Sequence, residues 1–203
     1  VDLIEQIVDS HWFRDESPFR ASFQRESERV CIITGPNASG KSLVRKLIAG
    51  RIDKGLKYMH FSQAGRTKGG IVRSSIYGDE QEDSTGYNTV KILTRLSRME
   101  STGKCVILFD EPEIGCSEEV QAAIGETLHD TISNLPDVEQ LFIITHSRLI
   151  VRAMIDIHPS HLRLSSDGMT LDQYVNRLVV PASLDRLVEQ NDRGWRYVGK
   201  HTH

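Results

Sequence analysis

The sequence predicts an α/β protein built on a mainly parallel sheet flanked by helices. Three observations carry that expectation. Residues 29–34, 105–109 and 141–145 are short continuous apolar runs, the pattern of strands covered on both faces rather than on one. A helical stretch at 117–132 separates the second run from the third, and a strand, helix, strand succession implies a right-handed parallel crossover. The first run passes through a glycine-bearing loop directly into a helix beginning near Lys41.

The remaining elements follow in order. Val1, Ile4, Ile7 and Val8 recur at helical spacing and predict a short amphipathic opening helix. Residues 11–28 read as irregular or edge-like. The helix from Lys41 should run through Ala49 and stop at Gly50, and 57–62 reads as another strand. Polar, glycine-rich residues 64–88 interrupt the pattern before a helix over 89–99. Glu118 and Glu119 stand in the first turn of the 117–132 helix, where acids favour the positive end of the dipole. Residues 162–164, a turn at Asp167-Gly168 and residues 169–174 read as a hairpin. The stretch with Arg193, Arg196 and Lys200 beside Trp195 and Tyr197 reads as a solvated tail or as a contact for nucleic acid or a partner chain.

Bulk properties narrow the class. A length of 203 residues suits one domain spanning 1–203. No apolar run approaches the ~20 residues that cross a bilayer, so no membrane partner is expected. The first ten residues carry acids where a secretory signal would be basic, and a cytoplasmic location is the expectation. Three cysteines without a CxxC pair argue for reduced thiols rather than a disulfide framework or zinc ribbon. A formal charge of −3 lacks the excess of a stand-alone nucleic-acid binder.

Gly35-Pro36-Asn37-Ala38-Ser39-Gly40-Lys41-Ser42 fits the P-loop pattern GxxxxGK[ST] in full, between a predicted strand and helix. Glycines let backbone wrap closely round phosphates, and the loop amides with the helix N-terminus offer donors and positive potential to an anion. The pattern therefore predicts a P-loop NTPase. Lys41 should reach the β- and γ-phosphates of ATP, and the Ser42 hydroxyl should ligate Mg²⁺.

Asp110 and Glu111 end the second apolar run, at the carboxyl edge where such sheets bind ligands. Asp110 would hold Mg²⁺ through water, and Glu111 would act as general base on the attacking water. His146 closes the third run. It stands to bond the γ-phosphate or orient the water, or to be satisfied by a nearby carbonyl. Gln63, after the strand at 57–62, reads as a donor to water, a Mg²⁺ ligand or a surface residue.

These residues resemble the ABC ATPase superfamily, and within it the soluble branch of SMC, RecF and MutS-like proteins, over most of 29–175. GPNASGKS looks like its P-loop, VILFDEPE like its Walker B strand with the following glutamate, and FIITHS like its switch-histidine strand. The resemblance implies an ABC-ATPase-like fold with a reduced helical subdomain, hydrolysis of ATP with Mg²⁺, and two chains closing head to tail round ATP. Residues 83–88 fall where the family has its signature loop. Ser84 and Gly86 would there supply donors to a γ-phosphate held by a second copy, although the second glycine and terminal glutamine are absent. Residues 114–117 would be the D-loop, with Ser117 where many members have aspartate. Trp12 or Phe13 would either stack on adenine or pack in the core.

DNA or an effector protein is the partner the resemblance implies, in repair, recombination or defence. Two rivals stand beside it: a small-molecule or nucleotide kinase using Arg66, Lys68 and Arg73 as a lid, and a nucleotide-gated binding module. His158, His161, His201 and His203 lack a set of carboxylate or cysteine partners and are assigned to surface and tail rather than to a metal.

Overall fold

The structure, a computed structural model, describes residues 3–14, 16–62, 90–94, 103–134, 137–179, 181 and 183–201. It is an α/β architecture with a six-stranded sheet flanked by helices. Its elements are α1 (Leu3–Val8), β1 (Ser22–Gln24), β2 (Val30–Thr34), α2 (Lys41–Ala49), β3 (Lys57–Ser62), β4 (Cys105–Asp110), α3 (Glu118–Asn134), β5 (Val138–Ile144), α4 (Arg148–Met154), β6 (Ser160–Arg163), α5 (Leu171–Asn176) and α6 (Leu184–His201). Single 3-10 turns lie at His11–Phe13 and Ile155–Ile157. The described part of the expected helix at 89–99, residues 90–94, is helical.

The strand order is β1-β6-β2-β5-β4-β3. All neighbours are parallel except β1, which runs antiparallel to β6 at the edge. Alternation along each strand feeds two apolar layers. Val30, Ile32, Ile107, Phe109 and Ile143 meet Ile124 and Leu128 of α3, Ile150 and Met154 of α4, and Tyr174 of α5. Cys31, Ile33, Leu108, Phe142 and Ile144 meet Ile4 and Ile7 of α1, Val44 and Ile48 of α2, and Trp12, Phe13 and Phe19. Burial on both faces is why these strands read as unbroken apolar runs. Each fully buried Ile, Leu or Phe contributes about 1.5–3 kcal/mol relative to exposure.

Trp12 and Phe13 take the core alternative, both buried in the α1–α2 layer. All three cysteines are free. Among the described residues no helix is long and apolar enough to cross a membrane, and no cluster of three or more His, Cys, Asp or Glu side chains is gathered for a metal.

Three expectations need correction. Residues 169–174 do not return as a hairpin strand; they lead into α5. Thr170 caps that helix by accepting from the Gln173 amide at 3.2 Å, while the Gln173 side chain accepts from the Thr170 amide at 2.9 Å. This reciprocal box satisfies two donors that a strand would have paired elsewhere. Residues 184–201 are not a loose tail but α6, whose Tyr197 packs edge-on to Trp12 and Phe19. His161 is not a surface residue either. It lies on β6 between β1 and β2, is 1% exposed, and shares a 2.8 Å hydrogen bond between Nε2 and Thr34 Oγ1.

Candidate functional site

The parallel strands bring their carboxyl ends together along one edge. Ser62, Asp110 and Ile144 stand in register across β3, β4 and β5, and Ile144 pairs with Ile33 of β2. Loops leaving these ends must therefore share one side of the sheet, where doubly wound folds carry their ligands.

The loop at 35–40 joins β2 to α2 on that edge. Gly35 is buried against the chain following β6, and a Cβ there would collide with Ser39 Oγ, with Leu164 Cβ at 2.9 Å and with the Leu164 carbonyl at 3.1 Å. Gly40 takes φ of 100°, a left-handed value that glycine adopts without a Cβ penalty. It is the N-cap of α2, and no side chain caps that end. A nine-residue helix that begins without a side-chain cap is an arrangement suited to an anion at its N-terminus.

Lys41 opens α2 and turns its side chain back over the loop. Nζ donates to the carbonyls of Pro36 at 3.0 Å and Gly35 at 3.4 Å. Burial lowers the ammonium below its ordinary pKa, against the pull of Glu111, Asp110 and Glu113. Ser42, one residue on, is exposed. Pro36 and Asn37 are exposed, Ala38 is partly buried with φ of 60°, and Ser39 is buried with no hydrogen-bond partner for Oγ among the described residues. A buried hydroxyl without a partner costs free energy unless something arrives to accept or donate.

Glu111 leaves β4 in the left-handed region at φ 53°, held there by its amide's 2.8 Å bond to the Ile144 carbonyl. Such a conformation costs about 1–3 kcal/mol for a non-glycine residue and collects at functional sites. Its Oε1 lies 3.2 Å from His146 Nε2 and 3.9 Å from Lys41 Nζ. The His146 imidazole beside it holds the Glu111 carboxyl below the usual range despite partial burial, and Lys41 adds to that effect. Asp110, half-buried at the end of β4, has Oδ2 at 3.5 Å from Arg45 Nε and 3.8 Å from His60 Nε2.

The structure thus brings Lys41, Glu111 and His146 into one cluster, with Asp110 beside it. Gln63, Ser84 and Gly86 lie outside the described residues, as do Arg66, Lys68 and Arg73.

Sequence reasoning passed over two residues that touch this cluster. Glu113 is 8% exposed, and its Oε1 accepts from the His146 amide at 2.6 Å. Burial pushes its carboxyl up, while that amide and the Thr145 hydroxyl pull it down. The acid was visible in the run DEPE, but nothing in spacing indicated that it turns inward. Tyr174 of α5 donates its hydroxyl to the His146 carbonyl at 2.9 Å. A tyrosine distant in sequence carries no local signal of that contact. Arg45 was legible in principle, since it stands one helical turn beyond Lys41 and the two share a face of α2.

Fold and site together define a class. This is an α/β protein with a mostly parallel sheet, a glycine-bearing strand-to-helix loop and acids at the adjoining strand ends, consistent with a P-loop-like fold. No protein-family model matches the chain. Among curated proteins the chain is similar to the DNA mismatch repair protein MutS of Roseiflexus castenholzii (strain DSM 13941 / HLO8), with 28% identity over 139 residues. The match covers 66% of this chain and 12% of that protein, so the chain corresponds to a small fraction of its length.

Proposed function

We propose that residues 1–203 form one ABC-type ATPase domain that binds ATP and hydrolyses it to ADP and phosphate with Mg²⁺. The observation that carries this reading is the convergence of Lys41, Glu111 and His146 at the open end of α2. The uncapped helix and the buried Ser39 hydroxyl fit a phosphate group. Lys41, already aimed over the loop, would transfer its donors from the Pro36 and Gly35 carbonyls to phosphate oxygens, where charge-assisted bonds are stronger.

Residues 35–42 cradle the phosphates in this reading. Ser42 and Asp110 would hold Mg²⁺, with Gln63 as a further oxygen ligand, and the ion would neutralise charge on the phosphate oxygens. Glu111, whose carboxyl lies below the usual range beside His146 and Lys41, is the carboxylate placed to accept a proton from the attacking water. His146 then orients the water or the γ-phosphate.

A homodimer completes the site, with Ser84 and Gly86 of each chain supplying donors to the other's ATP. Similarity to a mismatch repair protein supports a DNA-related role, in repair, recombination or defence, and makes DNA or an effector protein the partner. The acidic net charge makes any DNA contact depend on a surface assembled by pairing.

The test is Mg²⁺-dependent phosphate release from ATP by the intact chain, alongside light scattering of Glu111→Gln with ATP. Turnover and an ATP-dependent doubling of mass, abolished by adding Ser84→Arg, support the reading. A chain that releases no phosphate opposes it, and one that turns over as a monomer keeps the ATPase but removes the dimer.

A further inference from the structure

The backbone of His146 is gripped on both sides. Its amide donates to Glu113 Oε1 at 2.6 Å, and its carbonyl accepts from Tyr174 Oη at 2.9 Å. The two partners belong to different parts of the fold: Glu113 follows β4, and Tyr174 sits on α5. We propose that Glu113 and Tyr174 are positioning residues that together fix residue 146 so that its imidazole stays within reach of Glu111. For its effect on turnover the proposal rests on the ATPase reading above.

Both arms are themselves anchored. Glu113 is buried, with Oε1 on the His146 amide. On either side of His146, Thr145 Oγ1 accepts from the Ser147 amide at 2.9 Å, and Ser147 Oγ caps α4 by accepting from the Ile150 amide at 3.2 Å. The Glu113 carboxylate is therefore tied into the turn that carries residue 146 from β5 to α4. Tyr174 is 1% exposed, and its ring lies under the guanidinium of Arg177 at 4.5 Å and that of Arg163 at 5.5 Å. Arg163 is in turn held by Asp167, with Nε 2.9 Å from Oδ1. The hydroxyl is thus aimed by a packed ring rather than by a mobile side chain.

The geometry explains why a loop residue makes a defined contact. The His146 N–H lies in the peptide joining residues 145 and 146 and its carbonyl in the one joining 146 and 147, so the two bonds hold the peptide planes on either side of the residue. With the backbone fixed, His146 has only its side-chain torsions left to place Nε2 at 3.2 Å from Glu111 Oε1. Small displacements at such positions are costly, because positioning dominates phosphoryl transfer.

The experiment uses the intact chain with histidine labelled at Cε1. Tyr174→Phe removes one oxygen and leaves the ring in place. The His146 ring resonance should shift or broaden in Tyr174→Phe, while those of His60, His129 and His158 stay put. Turnover should fall about fivefold with KM for ATP unchanged, the size expected for one lost hydrogen bond. Glu113→Ala should do the same or more, and Glu113→Gln, which keeps an acceptor oxygen, should restore most of it. In a His146→Ala background, Tyr174→Phe should have no further effect. An unmoved His146 resonance overturns the clamp whether or not the chain hydrolyses ATP, and so does a turnover defect that persists without the imidazole. A wild-type chain without ATPase activity instead counts against the ATPase reading, and the resonance alone then decides the clamp.

Discussion

His146 Nε2 lies 3.2 Å from Glu111 Oε1, and the two residues follow neighbouring parallel strands, β5 and β4. The pairing follows from sheet register: Asp110 stands beside Ile144, so the residues just past each strand end leave the sheet side by side. It sets the imidazole on one side of the carboxylate, with the Lys41 ammonium at 3.9 Å.

Lys41→Ala is predicted to weaken ATP binding by about 10- to 100-fold, the range for losing a hydrogen bond from a charged group. Lys41 is buried over the loop, and no other described lysine takes its place there. Titration calorimetry with ATP measures the loss. Undiminished affinity would show that the loop does not use its lysine on phosphate.

Gly35→Ala is predicted to deform the loop, since the new methyl meets the Ser39 hydroxyl and the Leu164 backbone. Overpacking of this kind costs about 1–3 kcal/mol. Stability should fall in a urea titration and ATP affinity should fall with it. A variant as stable as the wild type with normal ATP binding would mean that the close approach of the loop to Leu164 is unimportant.

How much of this was readable beforehand depends on how local each cause is. The strands at 30–34, 105–110 and 138–144 and the α2 loop announce themselves in a few consecutive residues. Asp110, Glu111 and His146 did so too, because a polar residue ending an apolar run marks a sheet edge. The roles of Glu113, Tyr174 and His161 were not legible, because each depends on a partner far away in sequence. α6 was hidden for a related reason. It approaches the core closely at Gly194, where a Cβ would come within 3.1 Å of Phe19, and a glycine among charged residues does not suggest a packed helix. α5 was mistaken for a strand because Met169 and Leu171 alternate with polar residues over too few positions to separate the two periods.

Stability is predicted to depend on His161 in mildly acidic solution. Burial, with Arg163 adding to it and Asp167 opposing, lowers the imidazole pKa to about 4 from 6.5. The unfolded chain therefore binds the proton first. This contribution is fully present above about pH 6.5 and is lost as pH falls toward 4, with a slope of up to about 1.4 kcal/mol per pH unit. Urea titrations of wild type and His161→Gln between pH 7 and pH 4.5 measure it. The variant should show the shallower decline; identical slopes would indicate that His161 is not held neutral in the folded protein.

The most direct test of the central claim is Mg²⁺-dependent ATP turnover by Glu111→Gln, measured beside its ATP affinity. A neutral amide fills the same space but cannot take the proton, and a positioned base contributes about 10²–10⁴-fold. The account predicts wild-type hydrolysis, turnover at least about 100-fold lower in the variant, and ATP binding retained. Wild-type turnover by Glu111→Gln would contradict the assignment of Glu111 as the base at this site.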